Sequence, residues 1–193
     1  EDLTRCAELG DAGARSSLGW MYATGEGVPQ DDAEAVRWYR LAAEQGDASA
    51  QYNLGFMYAT GQAVPEDDAE AARWYRLAAE QGLAEAQAYL GVMYANGEGV
   101  PEDDAESVRW YRLAAAQGLA VAQSYLGSMY ANGEGVPEDL VYARMWFTLS
   151  AAQGNETAQG NKDIVEQRMT PEQIAEAQRL STEWIEAHPP GGN

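Results

Sequence analysis

This chain of 193 residues is poor in the side chains that most often carry chemistry: one cysteine, one histidine, and 12 Lys and Arg against 31 Asp and Glu. A lone Cys6 excludes an intramolecular disulfide and any zinc site built on cysteines. The few basic residues and a formal net charge of −19 argue against DNA or RNA as a partner, because phosphate binding draws its free energy from Lys and Arg. No apolar run reaches bilayer-spanning length, so membrane insertion is not expected. No signal-peptide pattern is present, yet the chain opens at Glu1 rather than Met. The expected location is periplasmic or secreted, with the cytoplasm as the alternative.

What is plentiful points to a packed protein. Hydrophobic residues make up 46% of the chain, with six Trp and eleven Tyr, which argues against disorder. The acidity reads as a solvated surface that favours solubility and basic partners without identifying one.

Internal repetition organises the rest. Trp38, Trp74, Trp110 and Trp146 are each 36 residues apart, as are Leu18, Leu54, Leu90 and Leu126, and Tyr22, Tyr58, Tyr94 and Tyr130. Gly10, Gly46, Gly82, Gly118 and Gly154 mark the joints. One α-solenoid is expected, with residues 1–10 ending a preceding helix and repeats at 11–46, 47–82, 83–118 and 119–154. Residues 155–193 then form a degenerate half repeat, a capping helix and a tail.

Each unit reads as two helices. Ala14, Leu18, Met21 and Tyr22 share one helical face, and Gly25 is placed to end that helix. Val28-Pro29 carries the chain outward, since proline cannot continue a helix. Asp31 and Glu34 have capping-box spacing at the start of the second helix, whose apolar face is Ala35, Trp38, Tyr39 and Ala42. Gly19, repeated at 55, 91 and 127, sits mid-helix at a cost of roughly 1 kcal/mol relative to Ala, which predicts close approach of the partner helix. Gly27 becomes Ala63 in the second copy, so a left-handed backbone is not expected there. One hairpin cannot bury Trp38, Tyr39 and Tyr22 alone, whereas stacked hairpins can.

The ends depart from the period. Cys6 aligns with Ala42, which reads it as an inert thiol on the core face. Lys162, Asp163 and Glu166 replace the Leu, Gly and Tyr of the pattern. A capping helix opens at Thr170-Pro171 with Gln173 at its third position, and Ile174, Ala177, Leu180 and Trp184 form its inner face. The closing HPPGGN reads as a frayed tail.

The joint pattern stands as ASAQYNLGFMYATGQAVPEDDAEAARWYRLAAEQG from Ala48, and it resembles the Sel1-like repeat of bacterial proteins, as does the closing MTPEQIAEAQRLSTEW. The resemblance covers residues 11–154 and implies a tetratricopeptide-like right-handed superhelix with first helices lining its concave side. It also implies a protein-interaction scaffold, here expected to be a non-catalytic monomer. Some cysteine-rich relatives have been described as penicillin-binding or β-lactamase proteins. A cell-wall-related hydrolase, or a binder of peptidoglycan fragments or β-lactams, is thus the alternative. This chain departs from that branch in having one cysteine and no S-x-x-K.

Positions that vary between copies are free for recognition. In the first helix these are 13, 16, 17, 20 and 24 and their copies, a single stripe distinct from the core face. The resemblance puts the stripe on the concave surface, where the candidate partner-binding residues are Trp20, Tyr52, Asn53, Phe56, Glu85, Tyr89, Val92, Tyr125 and Ser128. Trp and Tyr dominate binding hot spots because they bury much area at little entropic cost. Tyr89 and Tyr125, which lean towards the core, are expected to pack on the neighbouring first helix. Gln51, Gln87 and Gln123 form a ladder able to hydrogen-bond an extended peptide backbone. The pairs Arg37/Arg40, Arg73/Arg76 and Arg109/Arg112 are expected to pair with glutamates along their own helix.

No catalytic constellation, cofactor motif or metal site emerges. His188 lies beyond the last helix, without a framework to orient a base. PEDDAE lacks the alternating ligands of a calcium loop, and GEGVP is followed by no Gly-Lys-Ser/Thr. Carboxylate pairs are abundant, but none stands out from the repeated ones as a glycosidase pair.

Overall fold

The computed structural model describes residues 2–189, and all of its regular structure there is helical. It divides into two compact units, one running to Glu102 and the other starting at Asp103. The first unit contains α1 (Asp2–Glu8), α2 (Ala12–Thr24), α3 (Asp32–Ala43), α4 (Ala48–Thr60), α5 (Asp68–Glu80) and α6 (Ala84–Asn96). The second contains α7 (Asp104–Ala116), α8 (Ala120–Asn132), α9 (Leu140–Ala152), α10 (Glu156–Glu166) and α11 (Pro171–Ala187). The part of the expected tail from Pro190 to Asn193 lies outside the described residues.

Local chemistry sets the helix ends. The carboxylates of Asp11 and Asp47 accept from the third amide of α2 and α4, and those of Asp31, Asp67, Asp103 and Asp139 open α3, α5, α7 and α9 in the same way. Only half of the expected capping box forms in α3. Glu34 turns away from the cap and receives Arg37 at 2.9 Å instead. Gly25, Gly61, Gly97 and Gly133 close the first helices in the left-handed region, as that position demands.

Helix pairs lock through a glycine and a ring. A Cβ on Gly19 would stand 2.6 Å from the Tyr39 ring, one on Gly55 3.0 Å from Tyr75, and one on Gly127 2.7 Å from Phe147. The expected close approach is therefore real: backbone and aromatic face touch, and buried ring area offsets the helix-propensity cost. Ala35, Val36, Tyr39, Ala42, Ala50, Leu54 and Trp74 are buried together in the first unit. Ala143, Phe147, Ala158 and Val165 form a matching cluster in the second.

The loop between paired helices corrects one expectation. Gly27, Gly99 and Gly135 all have positive φ, and so does Ala63, at 56°. The left-handed turn is therefore required in every copy, and Ala63 adopts it at a steric cost that glycine avoids. At Gly99 and Gly135 a second reason applies. A Cβ there would collide with the backbone carbonyl of Asp68 or Asp104 at the start of the preceding second helix.

Two further expectations change. Cys6 is exposed, not buried, and Ala7 beside it is the residue that enters a core cluster, with Ala14, Leu18 and Trp38. Ala42 is buried where α3 packs on the first helix of its own repeat, and no such helix precedes α1 among the described residues. Of the paired arginines, only the first of each pair meets its own helix's glutamate: Arg37–Glu34, Arg73–Glu70 and Arg109–Glu106, at 2.8–3.0 Å. The second donates to the tyrosine of the next first helix: Arg40 to Tyr58, Arg76 to Tyr94 and Arg112 to Tyr130, at 2.8–2.9 Å.

The second unit ends differently. Thr148 stands where an arginine would, and Arg144 instead occupies a core position held by Val36, Ala72 and Val108 in the other repeats. Its Nε donates to Glu166 at 2.7 Å, replacing the Arg–Tyr contact with a largely buried ion pair. The box at Thr170 and Gln173 forms in full, Ala177 and Ser181 are buried, and Trp184 meets Trp146 edge-on at 6.2 Å.

Candidate functional site

Most of the variable stripe is exposed or half-exposed, because the other side of the first helices is committed to Ala, Leu, Gly and Met contacts with the second helices; the exceptions are Ala88 and Ser124, which are buried. In the first unit Trp20 stands on α2 with 46% of its surface exposed, and Asn53 and Phe56 are half-buried on α4. On α6, Glu85 is exposed, Tyr89 is 41% exposed one turn later, and Val92 is half-buried.

Three of these repeats' tyrosines converge. Tyr89 of α6 stacks on Tyr75 of α5, with centroids 5.3 Å apart and planes 14° apart. Tyr52 of α4 leans on both, 5.7 Å from Tyr75 and 5.8 Å from Tyr89. Tyr75 is the buried floor, so the sequence assignment of slot 89 to packing on the adjacent first helix is only part of its environment; the larger contact is with a second helix. Tyr75 is in contact with the patch although it reads as pure core. Its only sequence signal is recurrence at 39, 75 and 111 beneath a variable slot.

Burial favours the neutral form of the Tyr52 and Tyr75 phenols. It pushes Tyr52 up to about 12, helped by Tyr89 and by the nearby Glu85 carboxylate, and it raises Tyr75 further still. The exposed edge of the cluster therefore offers hydroxyl groups and π faces beside one carboxylate.

The second unit builds a smaller version. Tyr125 of α8 is 44% exposed and stacks on the buried Tyr111 of α7 at 5.2 Å. The equivalent of Glu85 is Val121, an exposed residue absent from the sequence-derived candidates. Ser128 turns inward, and its hydroxyl donates to the Ser124 carbonyl at 3.2 Å.

The glutamine ladder is not available to a peptide. Gln51, Gln87 and Gln123 are buried, and their amides donate to the Ala43, Ala79 and Ala115 carbonyls at 3.1–3.3 Å. Arg15 does the same for Ala7 at 2.9 Å. These side chains add a second donor to helix C-terminal carbonyls that the amides of Gly10, Gly46, Gly82 and Gly118 already reach. His188 lies against Trp184, with ring centroids 4.3 Å apart. Among the described residues no group of three or more His, Cys, Asp or Glu is arranged to hold a metal ion, and no helix is long and apolar enough to cross a membrane.

Helix pairs repeated at a fixed period, three of them closed by a glycine against a ring, define a helical repeat protein of the solenoid class. The Sel1 repeat profile matches residues 12–47, 48–83, 84–119 and 120–155, and the chain belongs to that family. A Sel1 repeat protein from Oxalobacter formigenes is 40% identical, with a TM-score of 0.75 over 82% of this chain and 46% of its own. A protective antigen of uropathogenic Escherichia coli with the same repeat fold is 32% identical, with a TM-score of 0.58 over 95% of this chain and 47% of its own. An immunity protein from Pseudomonas aeruginosa, 23% identical with a TM-score of 0.52 over 95% of this chain and 70% of its own, shares the fold. The chain thus spans slightly under half the length of the first two. No curated protein matches it.

Proposed function

We propose that this chain is a non-catalytic adaptor that binds a peptide or protein segment on the exposed side of its first helices. Sel1 repeats generally serve as interaction scaffolds, which supports the class of function. The observation that carries the reading is the exposure of Trp20 and Tyr89 on a side of the helices that the core does not use. Large half-exposed aromatics make efficient anchors, and Tyr89, already held by its stack on Tyr75, loses little entropy on contact. Asn53 and Phe56 supply a polar group and further apolar area on α4 between them in sequence. The partner is a segment of chain rather than a small molecule, since the candidates are spread over three helices of the first unit.

Selection of random displayed peptides against the whole chain tests this. Selected peptides should lose about thirty-fold or more in affinity on Trp20→Ala combined with Tyr89→Ala, the size of a hot-spot loss. Both side chains are half-exposed, so circular dichroism should show retained helicity. Undiminished affinity in that folded variant would remove the first-helix side as the binding surface.

A further inference from the structure

The aromatic patch carries a charge whose placement narrows the partner. The first helices of the first unit bear only two charged side chains, Arg15 and Glu85. Arg15 is spent on the Ala7 carbonyl. Glu85 is exposed in the first turn of α6 and makes no ion pair among the described residues. One helical turn brings it alongside Tyr89, whose ring lies on Tyr75 and beside Tyr52. Its field is felt at the Tyr52 hydroxyl.

A carboxylate next to a fixed, partly exposed tyrosine face is complementary to a cation that can use both. A guanidinium or ammonium placed over the ring gains from the π quadrupole, and the carboxylate then supplies a charge-assisted hydrogen bond. The chain itself satisfies tyrosine with arginine in this manner: Arg76 donates to Tyr94 while lying 5.9 Å from its ring centroid. The equivalent place in the second unit has the stacked pair Tyr111 and Tyr125 but Val121 in place of the carboxylate. We infer that Glu85, Tyr89 and Tyr52 form a subsite for a basic side chain, so that the segment bound by the first unit presents an arginine or lysine there. This rests on the binding side proposed above and specifies its chemistry. The −19 net charge adds long-range attraction of the same sign preference.

Glu85 has a plainer possible role. Leu83 gives α6 no side-chain cap, and an acidic residue in the first turn favours any helix. The test must therefore read binding and stability separately. Displayed random peptides are selected on the whole chain, and each recovered peptide is remade with citrulline for arginine, or norleucine for lysine. Recovered peptides should share a basic residue, and its neutral replacement should weaken binding to the unmodified chain by about ten-fold. On Glu85→Gln the basic and neutral forms should bind within about two-fold of each other. Retention of the full preference on Glu85→Gln would overturn the subsite, whatever that change does to thermal melting. Peptides that bind through Trp20 and Tyr89 without any basic residue would overturn it too, while leaving the binding side intact. Failure to recover any peptide would overturn both.

Discussion

The two units use the same repeat for different ends. The first meets its neighbouring elements through Arg40–Tyr58 and Arg76–Tyr94 and keeps a broad aromatic patch on the exposed side of its first helices. The second begins with the same device at Arg112–Tyr130, then exchanges it for Arg144–Glu166 and finishes with a helix whose buried face is Ala177 and Ser181. Its version of the patch is one stacked pair with serines around it. Stacking identical surfaces needs only a repeated residue. Ending the series needs residues that accept their neighbour on one side and water on the other, and Lys162 and Asp163 in place of Leu and Gly supply the second requirement.

The largest effect should come from a feature both units share. Gly99→Ala and Gly135→Ala each put a Cβ into a backbone carbonyl at a left-handed residue, and each should cost about 3 kcal/mol or more in urea unfolding. Gly27→Ala meets only the flexible end of Met21, so its loss should be clearly smaller. Equal losses at all three would show that the left-handed turn, not the backbone contact, sets the cost.

Next is the residue that distinguishes the second unit. Arg144 is 7% exposed, and Arg144→Ala leaves Glu166 facing a cavity without its cation, at an expected cost of about 2–3 kcal/mol. Arg144→Val with Thr148→Arg and Glu166→Tyr restores the pairing of the inner repeats and should recover most of it. A triple variant no better than Arg144→Ala would mean that the end of the second unit cannot accept repeat chemistry at all.

A smaller effect concerns the floor of the first unit's patch. The Tyr75 hydroxyl is buried without a hydrogen-bond partner, so Tyr75→Phe should change stability at neutral pH by less than about 1 kcal/mol. Burial raises Tyr75 and Tyr52 above the ordinary phenol value, so the unfolded chain releases those protons first. Stability is fully present below about pH 10 and is lost as pH rises towards the folded-state values. Melting followed from about pH 9, below the ordinary phenol value, to about pH 11.5, on the way to the folded-state values, should fall less steeply for Tyr75→Phe than for the unmodified chain. Identical slopes would mean that Tyr75 does not contribute to the alkaline loss.

The smallest change is a gain. Ala63→Gly relieves the only non-glycine left-handed residue among those described and should add about 0.5–1 kcal/mol. A loss instead would show that the entropy of glycine in the unfolded chain outweighs the steric relief.

Much of the architecture was legible in the residues themselves. The 36-residue period, the helix-ending glycines, the aspartate caps and the mid-helix glycines facing rings all follow from local rules. Backbone hydrogen bonding and φ/ψ sterics act over a few residues, so a sequence displays them directly. The candidate side of the first helices was legible too, as the positions that repetition leaves free.

What the sequence could not decide depended on groups brought together from different helices. Gln51 reads as a solvent-facing amide until it is seen buried and donating to the Ala43 carbonyl of the preceding helix. Cys6 reads as core until the covering helix is found to be absent from the described residues. Tyr75 reads as core, and only its stacking with Tyr89 makes it the floor of an exposed patch. Periodicity determined which residues form helices and which sides they bury. Only the tertiary structure decided which polar groups are spent on neighbouring helices and which, like Glu85, make no ion pair among the described residues, because that depends on distances between segments far apart in the chain.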